Sequence, residues 1–174
     1  MRTSRTILIA AAGLLAALPA TVASASAASA PASTPISASA ATGVGAGPST
    51  TWGPTFSSGR KAVAQGRLTV LSRDTSTTPT TATVEINGAI TDLTKGPACG
   101  WAAFRVSFLK KDGSVPTKHL YSLDCTKGTP KSFSFVEKRV VLVETKVCGE
   151  IKASKPSATC LYGGSWKKLY SYLD

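Results

Sequence analysis

Cys99-Gly100-Trp101-Ala102-Ala103-Phe104-Arg105-Val106-Ser107-Phe108-Leu109 is the stretch that decides the fold. Phe104, Val106 and Phe108 share one parity, and Ala103, Arg105 and Ser107 share the other. Lys111-Asp112-Gly113 then supplies a turn. Period-two alternation closed by a turn marks a half-buried β-strand. The cysteine at its head offers a covalent tie to another part of the chain.

Upstream, Ala82 to Leu93 alternates most cleanly, with Val84, Ile86 and Ile90 against Thr83, Glu85 and Asn87. Asn87-Gly88 interrupts it, as a tight hairpin turn or as a bulge in one long strand. The parity survives the interruption and the flanking arms are short, so a bulge is expected. Arg67 to Ser72, with Leu68 and Val70 on one side, reads as an earlier strand, which can extend back to Ala62. Downstream, Lys118 to Asp124 and Ser132 to Val136 read as short strands. Arg139 to Cys148 reads as a long one, with Val141, Val143 and Val147 on one face and Val140 and Leu142 on the other. Apolar residues on both faces of its first half predict a central strand covered on both sides.

The last segment, Ser165 to Leu173, fits two periods. Trp166, Leu169, Tyr170 and Leu173 match a helix, while Trp166, Tyr170 and Tyr172 share strand parity. The β-rich context favours a strand. About seven strands with turn signals between them predict an all-β fold, an antiparallel two-sheet sandwich of the immunoglobulin-like kind.

Cys99, Cys125, Cys148 and Cys160 form an even set. Zinc sites need close pairs, and the shortest gap here is eleven residues. Two disulfides are therefore expected. Of three possible connectivities, Cys99–Cys125 with Cys148–Cys160 is preferred, because each pair brackets one strand-loop-strand excursion. Each closure contributes on the order of 3 kcal/mol. Trp101, next to Cys99, is expected to pack over a disulfide.

The first part of the chain has a different composition. Arg2 and Arg5 precede an apolar run from Ile7 to Leu18, which is too short to span a bilayer. Pro19 ends that run, and small-residue cleavage patterns follow between residues 25 and 30. Residues 1–27 are read as a secretory signal peptide. Residues 28–60, rich in Ala, Ser, Thr, Pro and Gly and free of acidic residues, are read as a disordered arm. Trp52 and Phe56 are its apolar exceptions, placed to pack on the domain edge or to begin the first strand. Residues 61–174 are the β-sandwich domain, which is the usual size of one domain. With no second apolar run of membrane length, a secreted monomer is expected.

The formal charge is +11, and removal of the signal segment leaves 18 basic against 9 acidic residues. Thirteen of the twenty bases are lysine, scattered as singles and pairs. Such a pattern reads first as a soluble, charged surface; the sharper reading is attraction to a polyanion such as wall polymer, anionic lipid or nucleic acid. Sequence-specific reading of bases is not expected, since Asn87 and Gln65 are the only side-chain amides.

Chemistry-bearing constellations are absent from the sequence. His119 is the one histidine. Asp112 or Asp124 could orient it for a Ser-His-Asp arrangement, but no Gly-x-Ser-x-Gly elbow accompanies it. Carboxylates such as Glu137, Glu144 and Glu150 form no pair that stands out. No metal-ligand cluster and no cofactor motif is present. The candidate binding surface is the aromatic-lysine tail: Tyr162, Trp166, Lys167, Lys168, Tyr170 and Tyr172. Aromatics beside cations suit stacking on sugars, on nucleic acid bases or against a protein partner; the plainer reading is that Trp166 and Tyr170 fill the small core.

Val84-Glu85-Ile86-Asn87-Gly88-Ala89-Ile90-Thr91-Asp92 is followed by a Cys-headed strand, a later cysteine, a valine strand ending in Cys148-Gly149 and a last cysteine. Over about residues 80–165 this layout resembles small secreted actinobacterial proteins of unknown function, expected to be β-sandwiches. The resemblance implies fold and export, and no catalytic residue. Three functions fit the sequence. One is a secreted non-catalytic module binding anionic cell-wall polymer, glycan or a protein partner. Another is a secreted protease inhibitor or an antimicrobial, toxin-like protein. The last is a hydrolase built on His119.

Overall fold

The computed structural model describes residues 47–152 and 155–174. Residues 1–27, expected to be a signal peptide, and residues 28–46 of the expected arm lie outside the described residues. Among the described residues, seven strands follow in order: β1 Ser49–Phe56, β2 Ala62–Asp74, β3 Thr81–Asp92, β4 Cys99–Phe108, β5 Thr117–Asp124, β6 Lys131–Glu150 and β7 Lys167–Ser171. They form one antiparallel sheet in the order β1-β2-β3-β6-β4-β5, with β7 also on β6. Among the described residues, no helix is long and apolar enough to cross a membrane.

The 20-residue β6 joins the two arms of this sheet. Its first half pairs with β3, from Lys131 opposite Ile90 to Val140 opposite Ala82. Its second half pairs with β4, from Val140 opposite Phe108 to Glu150 opposite Cys99. The changeover falls at Arg139, whose φ of 56° lies in the left-handed region. Its guanidinium donates Nε–H to the Leu109 carbonyl at 2.7 Å and Nη2–H to the Lys110 carbonyl at 3.1 Å. The runs 132–136 and 139–148 are thus one strand turned at Arg139, not two strands. The charged trio Glu137-Lys138-Arg139 breaks the apolar pattern without breaking the ladder.

The turn lets the two arms face each other across the core. Leu68, Val70, Val84, Ile86 and Ile90 come from one arm, and Ala102, Phe104, Val106, Val143 and Val147 from the other. Phe104 sits at the junction, 5.7 Å from Trp52 edge-on, 5.4 Å from Phe133 and 5.8 Å from Phe135 between ring centroids. Where the arms meet, Gly100 lies against Ala62, and a Cβ on Gly100 would overlap the Ala62 side chain.

Two expectations change here. Residues 49–56, assigned to the disordered arm, are strand β1, paired with β2 from Ser49 opposite Thr69 to Phe56 opposite Val63. Burying the Trp52 indole against Phe104 and Phe133 offsets the entropy of ordering an otherwise polar segment. Asn87-Gly88 makes neither a turn nor a bulge, because the β2–β3 register runs unbroken from Ala62 opposite Asp92 to Val70 opposite Val84. Gly88 instead faces Gly66, and a Cβ on either would run into the partner backbone. The bulge falls between Val70 and Ser72. The ambiguous C-terminal segment is a strand, β7, and the disulfides are Cys99–Cys125 and Cys148–Cys160.

Candidate functional site

Strand β4 divides its side chains between two faces. Ala102, Phe104 and Val106 enter the main core, while Trp101 and Ala103 build a second cluster on the outer face with Cys148. Register sets the rows of that outer face. Trp101 stands between Leu123 and Cys148, Ala103 between Tyr121 and Lys146, and Arg105 between His119 and Glu144. Trp101 therefore covers Cys148–Cys160 and not the nearer-in-sequence Cys99–Cys125, because it lies directly opposite Cys148. Its indole N–H donates to the Ser157 carbonyl at 2.9 Å, and Lys146 Nζ donates to the Ala158 carbonyl at 3.0 Å. These bonds and the Cys148–Cys160 bridge hold residues 157–160 against the sheet.

Trp166 packs on this cluster just ahead of β7. The Arg105 guanidinium carbon lies 4.7 Å from its ring centroid and Lys146 Nζ lies 5.6 Å from it. The His119 ring lies 6.2 Å from both Tyr121 and Trp166. Arg105 Nε donates to Glu144 at 2.7 Å, and this hydrogen bond raises the guanidinium pKa further above its ordinary value. Three aromatic rings and two cations thus share one partly solvated face. Rings there present flat apolar surfaces, and the cations present donors for oxyanions.

The six tail residues do not form a common strip. Tyr170 is 4% exposed and belongs to the main core. A register shift between Val143 and Glu144 places Tyr170 opposite Val143 and Lys168 opposite Glu144, which turns the two apart. Lys167 and Lys168 are exposed, and Lys168 pairs with Asp174 at 2.8 Å. Tyr172 is exposed at the chain end. Tyr162 is half-buried with Lys61 Nζ 5.3 Å from its ring. Of the six, only Trp166 belongs to the outer-face constellation. Arg105 and Lys146 beside its ring, and Tyr121 on the same cluster, are not among the site residues the sequence suggests. The available signal was odd parity in 101–105 and 119–123, which is uninformative until the strands are registered.

His119 makes aromatic contacts and no side-chain hydrogen bond among the described residues. No group of three His, Cys, Asp or Glu side chains among the described residues could hold a metal ion. No protein-family model, curated protein or solved structure matches the chain.

Proposed function

We propose that the protein is a secreted, non-catalytic binding module that takes an anionic glycan or wall polymer on the outer face of β4, β5 and β6. The observation that carries this reading is Trp166 with both Arg105 and Lys146 close to its ring, and His119 and Tyr121 on the same face. Rings stack on the apolar faces of sugar rings, while the flanking cations meet acidic substituents. Export is supported by the leader-like sequence and by the two disulfides, which persist in oxidising compartments.

The test is retention of the full mature chain on purified cell wall at low and high salt. The reading expects binding at low salt that weakens as salt rises, and loss of retention in Trp166→Ala with little change in Lys167→Gln. No retention at low salt, or full retention by a folded Trp166→Ala chain, overturns it. Inhibition of a secreted protease by the unretained protein would move the assignment to an inhibitor.

A further inference from the structure

At one end of the fold, the β1–β2 connection, the β3–β4 loop and the segment after β6 enclose a pocket of about 400 Å³. Its charged lining residues are Arg60, Lys61 and Lys95. Among the described residues, none of the three is in an ion pair. Arg60 and Lys61 lie against rings instead, with the Arg60 guanidinium 3.9 Å from the Phe56 centroid and Lys61 Nζ 5.3 Å from that of Tyr162. Rings orient a cation but do not neutralise it. Three cationic residues lining one concavity repel each other, and an anion held between them relieves that repulsion.

The walls are built before any ligand arrives. Ser57 clamps the β1–β2 connection: its N–H donates to the Ala62 carbonyl at 3.0 Å, and its Oγ accepts the Ala62 N–H at 2.9 Å. The Arg60 N–H donates to the Ser57 carbonyl at 3.0 Å. Arg60 itself is held at φ 51°, left-handed backbone that a residue with a Cβ rarely adopts. Backbone of that kind concentrates at binding and switch sites. Opposite, the Leu93 N–H donates to the Lys61 carbonyl at 2.9 Å. Asp92 Oδ1 accepts the Thr94 N–H at 2.9 Å and its hydroxyl at 2.6 Å. Asp124 Oδ2 accepts the Asp92 N–H at 2.9 Å, and Cys99–Cys125 ties the end of the same loop.

The carboxylates of this end keep their charge, but their oxygens are bonded to N–H and O–H groups and, among the described residues, form no ion pair with the three cations. Asp92 and Asp124 are 1% and 3% exposed and face N–H donors, and Glu150 Oε1 accepts the Leu161 N–H at 2.7 Å. The backbone around Ser57–Ala62 and Asp92–Thr94 is held by these bonds, so ordering on binding falls mainly on the Arg60, Lys61 and Lys95 side chains. The rest of the lining is Gly59 and Thr94 together with an apolar side of Ala98, Leu93 and Ile151, the last two exposed at 40% and 54%. The pocket is larger than a bare oxyanion needs.

We propose that this pocket binds a small organic phosphate, its phosphate among Arg60, Lys61 and Lys95 and its carbon body on Leu93, Ala98 and Ile151. The inference goes beyond the outer-face reading and does not depend on it, since no residue is shared.

The experiment is an amide chemical-shift titration of the mature chain with glycerol 3-phosphate, inorganic phosphate and glycerol in parallel. Saturable shifts at Gly59, Arg60, Lys61 and Lys95 are expected with glycerol 3-phosphate, weaker ones with inorganic phosphate and none with glycerol. Arg60→Gly keeps the left-handed backbone while removing the charge, and Lys95→Gln removes a second charge. Each is expected to weaken binding about tenfold, the loss of one charge-assisted contact. Trp166→Ala should leave this titration unchanged, which separates failure of this site from failure of the glycan face. A phosphodiester-linked glycerol oligomer distinguishes the source: tighter binding than the monomer assigns the ligand to a polymer repeat, weaker binding to a free metabolite. Absence of saturable shifts, shifts spread evenly over Lys110, Lys111, Lys167 and Lys168, or unchanged affinity in both variants overturns the proposal.

Discussion

Arg105 bridges Glu144 and Trp166, with its Nε 2.7 Å from the carboxylate and its guanidinium carbon 4.7 Å from the indole centroid. One planar cation thus holds a strand-borne acid and a loop-borne ring in fixed relation. A lysine could carry the charge but not the fork and the flat face. The Arg105 side chain is 38% exposed and Glu144 18%, so solvent screens the pair. A double-mutant cycle with Arg105→Ala and Glu144→Ala is expected to return a coupling of about 0.5–1 kcal/mol in denaturant unfolding. Zero coupling would mean that the pair adds nothing beyond its solvation.

The two disulfides are expected to be similar in stabilisation but different in what they report. Replacing Cys148 and Cys160 by serine should cost about 3 kcal/mol and also change the near-ultraviolet signal of Trp101, which packs on Cys148. Replacing Cys99 and Cys125 should cost about the same and leave that signal close to wild type. Equal spectral change in both variants would contradict the placement of Trp101.

Arg139 carries both a backbone turn and two side-chain hydrogen bonds to carbonyls. Arg139→Ala keeps the disfavoured φ and loses both bonds. Arg139→Gly loses the bonds but relieves the backbone. The alanine variant should therefore be less stable than the glycine variant by about 1 kcal/mol. Thermal unfolding of the pair gives the comparison, and the reverse order would argue against left-handed backbone at the changeover.

Tyr170 makes stability sensitive to alkaline pH. Burial raises its hydroxyl above the ordinary value of 10.0, with Arg73 acting in the opposite direction. The unfolded chain therefore loses this proton before the folded one does. Its contribution is constant below the unfolded value, then falls as pH rises from there through the folded value. The Tyr170 hydroxyl has no hydrogen-bond partner among the described residues. Tyr170→Phe should accordingly fold at least as well as wild type near neutrality. The difference in urea midpoint between the two should shift in favour of the phenylalanine variant between about pH 8 and about pH 11. A difference independent of pH would place Tyr170 outside the core.

What was legible in the sequence was local. Alternation in 82–93 and 99–109 and turn signals between runs are properties of a few neighbouring residues, and they were enough for β3, β4 and the all-β class. The cysteine pairing was legible because each bridge closes one excursion. Strand β1 was only half legible, because its order depends on Trp52 meeting Phe104 and Phe133 from strands far along the chain. The continuity of β6 through Arg139 was hidden for the same reason, since its ladder is completed by β3 on one side and β4 on the other.

Only the tertiary structure divides the aromatic-lysine tail. A one-residue change of register reverses the face of a strand side chain, and the shift between Val143 and Glu144 sent Tyr170 inward. The stretch Cys99–Leu109 by itself determined a strand with two unlike faces. Which partners each face would meet was decided by how β5 and β6 register against it. That register put the main core behind Phe104 and placed Arg105 with Trp166 on the other side.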